Sequence, residues 1–440
     1  MLRRLLDFSL ENRPLVLIAS AFLVVGGFYS LTQLPIDAVP DITNVQVQIL
    51  TKAPALGPVE MEQFVTYPIE AAMNGLPNLV EIRSVSRYGL SAVTVVFQDG
   101  VNVYVARQLV SERLSQAREA IPPGFGNPEM GPVSTGLGEV YMFTVEGEGL
   151  SPMERRTLLD WDIAPRLRAV PGVTEVNVWG GLPKQYQVVV DPARLVAYGL
   201  SLREVFEAVE RGTGNSGGGY IEHNREQYVI RGEGLVASLQ DIEKLVIEAD
   251  PEGTPITVGN LAQVREGAML RIGAATRDGE GETVIGMAQM LAGENALQVA
   301  SRVREAVWDL KSSLPEGVRL STYYDREDLV RRVIRTVETN LLEGGLLVVA
   351  VLFAFLGNLR AGLIVASAIP LSMLFAFTGM VPSRISANLL SLGAIDFGLI
   401  VDGAVVLVEN VVRRLAEPEG PEQTEQPEQK DKTVRQLTAQ

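Results

Sequence analysis

A stretch of 21 residues without a charge, residues 14–34, constrains this chain more than any other feature. A helix that crosses the apolar core of a bilayer needs about 20 such residues. Arg3, Arg4 and Arg13 precede the run. A cleaved signal would carry an apolar part of about 7–15 residues ending in small side chains. This run is longer and gives way to Leu34-Pro35-Ile36-Asp37, so an uncleaved anchor is expected. Strongly apolar runs return only at 341–359, 361–382 and 389–412, so four spans are expected in all.

Arginine placement sets the orientation. Arg3, Arg4 and Arg13 lie before the first span, Arg360 between the second and third, and Arg413 and Arg414 after the fourth; the short opposite loop holds only Arg384. Positive residues stay inside, which puts both ends of the chain in the cytoplasm and residues 35–340 outside. That outer region carries 28 Lys and Arg against 41 Asp and Glu, a formal charge of −13. This acidity argues against nucleic acid as a partner and suits either cations or a well-solvated surface.

The outer region alternates strands and helices. Val45, Val47 and Ile49 alternate as a strand, and Met61, Val65, Ile69 and Ala72 follow at helical spacing. Ile82, Val85 and the run 93–97 predict a hairpin, and Val105, Leu109, Leu114, Ala117 and Ile121 line one face of a second helix. The order begins again at Glu139, with a hairpin expected from 173–179 and 185–190. L-P-N-L-V-E-I-R-S-V at 76–85 is echoed by V-P-G-V-T-E-V-N-V-W at 170–179. The economical reading is two split β-α-β (ferredoxin-like) modules in tandem, over residues 35–135 and over 136–180 with 272–330. Residues 181–271 form an insertion, 331–416 hold spans two to four, and the polar, Pro-rich residues 417–440 read as a disordered cytoplasmic tail. The fold class is thus an α+β membrane protein. Within the insertion, the glycines of G-N-S-G-G-G-Y at 214–220 suit a flexible loop or hairpin tip.

Composition narrows the chemistry. The chain has no cysteine, and His223 is its one histidine. Disulfides, thiolate metal sites and Cys catalysis are excluded within it, and no nucleophile–base pair is visible. No phosphate loop or cofactor motif is visible, and no cofactor is expected. The sharpest chemical signal is D-F-G-L-I-V-D-G-A-V-V-L-V-E-N, from Asp396 to Asn410. Each charge near the centre of a bilayer costs about 2.5–3.5 kcal/mol, so acids there imply a function. On a helix, Asp402 and Glu409 fall within about 20° of one face, and Asp396 lies about 120° round from Asp402. The steps are about 9 Å and 10.5 Å along the axis. Such a ladder suits proton relay, with groups neutral in a dry site and ionised beside water. A static salt bridge to another helix is the alternative, but these four spans offer no basic partner.

These residues resemble a family. L-P-I-D-A-V-P-D-I-T-N-V-Q-V-Q after the first span and D-F-G-x-x-x-D-G-A-x-x-x-x-E-N in the fourth resemble the heavy-metal branch of the RND proton-driven exporters, of the cobalt/zinc/cadmium type. Drug-exporting relatives carry two adjacent aspartates where this chain has Asp402-Gly403. The resemblance is read from Met1 to about Ala416. It implies a secondary active transporter, a proton/cation antiporter, rather than an enzyme. The expected setting is a homotrimer in the bacterial inner membrane, joined to a periplasmic adaptor and an outer-membrane channel. The transported divalent cation is its substrate and the proton its coupling ion. It also implies that the two modules are porter subdomains and the insertion a docking subdomain. Members of the family are more than twice this length, so a second polypeptide supplying the missing half is a further expected partner. A non-transporting remnant and an exporter of hydrophobic compounds remain open.

For the metal path, Glu139 at the start of the second unit and Glu175 on its hairpin are the candidate acids for a hard or borderline cation; ordinary surface carboxylates are the alternative. The scattered methionines 130, 142, 153, 269, 287 and 290 read as packing residues.

Overall fold

The computed structural model describes residues 8–9, 11–34, 37, 41–232, 234–249, 252–271, 273–356, 359–383, 406 and 408. Asp396, Asp402, Glu409 and the expected tail at 417–440 lie outside the described residues.

The first apolar run forms helix α1, Arg13–Gln33, with Pro14 in its first turn, where a missing N–H costs nothing. Strand β1, Gln46–Lys52, opens the first α+β unit. Helix α2 follows in three continuous stretches: Pro58–Met61, a π turn at Glu62–Thr66, and Tyr67–Met73. Its buried apolar residues, Met61, Val65, Ile69 and Met73, recur every four positions. On a regular α-helix that spacing drifts about 40° per step. The wider π turn takes up the drift, and Pro68 explains its position, because its nitrogen cannot close the normal bond to the preceding turn.

The hairpin of β2, Leu79–Arg87, and β3, Leu90–Phe97, then helix α3, Val103–Ala120, and the short β4, Glu129–Met130, complete the unit. The strand order is β2-β3-β1-β4, with every neighbouring pair antiparallel. Both helices cover one face, where Val47, Ile49, Val93 and Val95 meet Met61, Ile69, Val110 and Leu114.

The second unit repeats this plan. Strand β5, Glu139–Gly147, leads to helix α4, built from Pro152–Leu158, a π turn at Leu159–Ile163 and Ala164–Arg168. Leu159, Ile163 and Leu167 again recur every four positions, and Pro165 stands where Pro68 stands in α2. Ser151 starts α4 with a reciprocal cap: its hydroxyl accepts from the Glu154 amide, and the Glu154 carboxylate accepts from the Ser151 amide. Strand β6 spans Val173–Gly180.

The expected pairing of 173–179 with 185–190 does not form. Strand β7, Lys184–Val190, turns away into the insertion instead. There helices α5, Pro192–Tyr198, and α6, Leu202–Gly212, precede a ribbon of β8, Ser216–His223, and β9, Glu226–Gly232. The glycines of 214–220 do not make the ribbon's tip. Asn224 and Arg225 do, with φ of 52° and 67°, the signature of a tight two-residue hairpin turn. His223 is exposed beside that tip. Helix α7, Leu239–Glu243, strands β10, Val246–Ala249, and β11, Pro255–Thr257, and helix α8, Val258–Leu261, lead to β12, Ala262–Ala268. Strand β12 pairs with β7 from Lys184↔Ala268 to Val190↔Ala262, so the insertion leaves and returns on one two-stranded stem.

The short β13, Ala275–Thr276, precedes β14, Glu282–Met290, which pairs with both β5 and β6. Helix α9, Ala296–Leu310, and β15, Val318–Asp325, close the unit, with β15 on the far side of β5. The resulting order β6-β14-β5-β15 matches β2-β3-β1-β4 place for place. Helices α4 and α9 bury Leu159, Ile163, Val299 and Val303 against Val140, Phe143, Val145 and Val284.

Helix α10, Arg326–Leu356, follows β15 directly and runs unbroken from the second unit into the second apolar run. Helix α11, Leu359–Met380, holds the third. Helix α1 and residues 362–380 of α11 are each long and apolar enough to cross a membrane. They pack together through Leu34, Leu374 and Phe377. Gly27 allows the close approach: a Cβ there would sit 2.6 Å from the Leu374 Cβ.

Candidate functional site

The outer face of the second sheet, opposite α4 and α9, collects the polar side chains. Gln289 on β14 is paired with Glu139 on β5 and with Glu175 on β6. The two sequence-predicted acids therefore share one row across three strands, Glu175–Gln289–Glu139, and all three side chains are half-buried. Two strand spacings place the backbones of the acids about 9.6 Å apart. Glu175 reaches this row because β6 pairs with β14, a contact that its assignment to a local hairpin did not foresee. The next row on the same face is Asn177–Met287–Met142. The Tyr323 hydroxyl donates to the Met142 sulfur at 3.3 Å. Burial pushes the Tyr323 phenol up, and the nearby Glu139 charge adds to the rise.

Carboxylate, amide and thioether groups thus line one open face. Two carboxylates with an amide between them suit a borderline divalent cation better than a soft monovalent one. Among the described residues no group of three or more His, Asp or Glu side chains is placed to hold a metal. The row supplies part of a coordination shell and leaves the rest to water or to another segment. Met290, by contrast, packs in the core as expected.

A second charged constellation sits at the corner of α9, β15 and α10, and the sequence reading missed it. Arg304 of α9 lies 2.6 Å from Asp325, 3.3 Å from Glu327 and 2.7 Å from Asp328. Glu327, with its side chain only 4% exposed, also pairs with Arg331 at 2.7 Å. Burial pushes the Asp325 carboxyl up, and hydrogen bonding and charge from Arg304 oppose the rise. Beside it opens a cleft of about 590 Å³ lined by Tyr141, Trp308, Lys311, Tyr323, Asp325 and Arg332, among others. The one sequence signal was the charge run 325–328 just ahead of an apolar segment.

Between Asp325 and Glu327, the Arg326 guanidinium donates to both carboxylate oxygens of Asp37 at 2.8 Å and to the Leu137 carbonyl at 2.6 Å. Asp37 belongs to the segment after α1, and Leu137 lies two residues before Glu139. The pair is separated by 289 positions; the Arg326 side chain is buried, 4% exposed, and that of Asp37 is half-buried, 17% exposed.

Comparison with known proteins gives this geometry its context. The profile of the AcrB/AcrD/AcrF family matches residues 5–439. It runs past Ala416, where the sequence reading ended the resemblance. Protein HelA of Legionella pneumophila is 53% identical over 424 residues, 95% of this chain and 40% of that protein. The cobalt-zinc-cadmium resistance protein CzcA of Cupriavidus metallidurans is 51% identical over 425 residues, again 40% of its length. A crystal structure of a heavy metal efflux pump superposes with a TM-score of 0.84 at 37% identity, covering 94% of this chain and 42% of that one. The chain thus spans about 40% of the length of these relatives. Matched along nearly all of its length, it belongs to the AcrB/AcrD/AcrF family of RND transporters and corresponds to the N-terminal part of the family's heavy-metal efflux members.

Proposed function

We propose that the chain serves in proton-driven export of divalent cations of the cobalt, zinc and cadmium type. It would do so as part of an inner-membrane pump completed by the remaining length of its relatives, in the same or a second polypeptide. The observation that carries this reading is the half-buried Glu175–Gln289–Glu139 row, on the sheet face opposite the helices of a chain half identical to a cobalt-zinc-cadmium resistance protein. In this reading a cation that crosses from the cytoplasmic side reaches the row outside the membrane, while Asp396, Asp402 and Glu409 pass protons through the membrane in the opposite direction. The cation is the substrate and the proton the coupling ion. The two similarly ordered sheets act as tandem ferredoxin-like porter subdomains, and the stem-bound insertion as the docking subdomain. The exposed β8–β9 ribbon supports assembly with further copies, as a trimer docked to a periplasmic adaptor and an outer-membrane channel.

Zinc titration of the purified chain tests the row. Glu139→Gln and Glu175→Gln are each expected to weaken zinc binding about tenfold, ~1.4 kcal/mol, with the fold unchanged by circular dichroism. Unaltered affinity in both variants would remove the row from the metal path. Orientation has its own check, read from reporter fusions. A fusion at Gly124 should report from outside the inner membrane and one at Gly420 from the cytoplasm, as the arginine distribution requires. The opposite signals would reverse the topology.

A further inference from the structure

The three segments that meet at Arg326 have no common role in anything described above. Asp37 follows α1. Leu137 lies in the connection between the two sheets, two residues before the acid of β5. Arg326 itself is the first residue of α10. One buried guanidinium therefore ties the exit of one apolar helix and the root of the Glu139 strand to the start of another helix. The neighbouring corner stiffens the same point: Arg304 binds the carboxylates at 325, 327 and 328, which fixes α10 to α9. A bidentate Arg–carboxylate pair holds direction as well as distance, and a lysine cannot reproduce it. Removing one partner of a buried pair leaves the other charged and uncompensated.

We propose that Arg326 is a positioning residue, a latch that makes α1, α10 and the root of β5 move as one body. Displacement of the membrane helices then carries the Glu139 end of the acid row with it. That consequence rests on the proposed export function; the latch itself does not.

The absence of cysteine makes the test direct, because two introduced cysteines carry the only spin labels. Labels at Gln33→Cys on α1 and Glu305→Cys on α9, in the full chain in lipid nanodiscs, should give one narrow distance distribution. Arg326→Gln and Asp37→Asn should each at least double its width while the melting transition of the outer units is retained. The exchanged pair, Asp37→Arg with Arg326→Asp, restores the contact between positions 37 and 326 but not the donation to the Leu137 carbonyl, and should narrow it part of the way, a rescue that general destabilisation would not produce. If Arg326→Gln does not fold, Arg326→Lys serves in its place, with a width between those of the unmodified chain and Asp37→Asn. An unchanged width in Arg326→Gln, or in Arg326→Lys and Asp37→Asn, overturns the latch. So does a folded exchanged pair that stays broad. Zinc titration of the same labelled chain separates the two ideas. A latch that behaves as expected in a chain that binds no zinc leaves the latch standing and removes the acid row from the metal path.

Discussion

Asp402→Asn is expected to abolish metal resistance conferred by the assembled pump while leaving the protein in the membrane. The asparagine amide has nearly the shape of the carboxyl group and cannot release a proton. Asp402 is the middle acid of an otherwise apolar segment, where its charge costs about 2.5–3.5 kcal/mol. Insertion should therefore be as good as in the unmodified protein or better, and the loss should fall on coupling alone. Asp402→Glu keeps a titrating group displaced by one methylene and should retain partial resistance. Asp396→Asn should resemble Asp402→Asn, with Glu409→Gln milder, because the topology proposed above puts Glu409 nearest the cytoplasmic interface. The check is growth on graded zinc, cobalt and cadmium, with membrane levels followed by immunoblot. Full resistance in Asp402→Asn would place the proton path elsewhere.

Phe143→Ala should give the largest loss of stability in the outer region. Phe143 is fully buried in the second core, with its ring centroid 6.3 Å from that of Tyr141. It lies over Gly286, where even a Cβ would come within 2.4 Å of the ring. With a glycine beneath it and sheet backbone on either side, the site cannot collapse to fill the gap. Truncation of a buried Phe costs about 3–5 kcal/mol, against a total of about 5–15 kcal/mol for a typical domain. Urea unfolding followed by tryptophan fluorescence should show a lower midpoint with the slope preserved. A shift below about 1 kcal/mol would mean that the core repacks around the gap.

Much of this architecture is legible in local sequence. Alternation marked the strands, and the echo of 76–85 in 170–179 marked the repeat. Both cues work because side-chain period and burial are local properties of a strand or helix. The failures share another cause. Gly180 and Gly181, both with positive φ, resemble a hairpin turn between β6 and β7. The partner of β6 is instead β14, about a hundred residues later, and no local signal reports that pairing. The π turns in α2 and α4 were hidden for a subtler reason. A period of four is close enough to 3.6 to read as an ordinary helix, although Pro68 and Pro165 marked the irregularity.

The candidate site divides along the same line. Glu139 and Glu175 were found as residue types in context, but Gln289 between them follows only from sheet register. The contact of Arg326 with Asp37 links segments far apart in sequence, and each looks like an ordinary surface charge when read alone. Asp396, Asp402 and Glu409 stood out because a charge near the centre of a bilayer is expensive, a cost read from one apolar run alone.

Under the proposed export function, proton flow through Asp396, Asp402 and Glu409 drives divalent cations away from the acid row. Zinc uptake into inverted membrane vesicles tests it most directly. The vesicles would come from cells making this chain together with the remaining length of a heavy-metal relative. Under an imposed pH gradient, acid inside, uptake should begin at once, stop when a protonophore collapses the gradient, and be absent with Asp402→Asn. Zinc uptake that persists after the gradient is gone, or in Asp402→Asn, would contradict the claim.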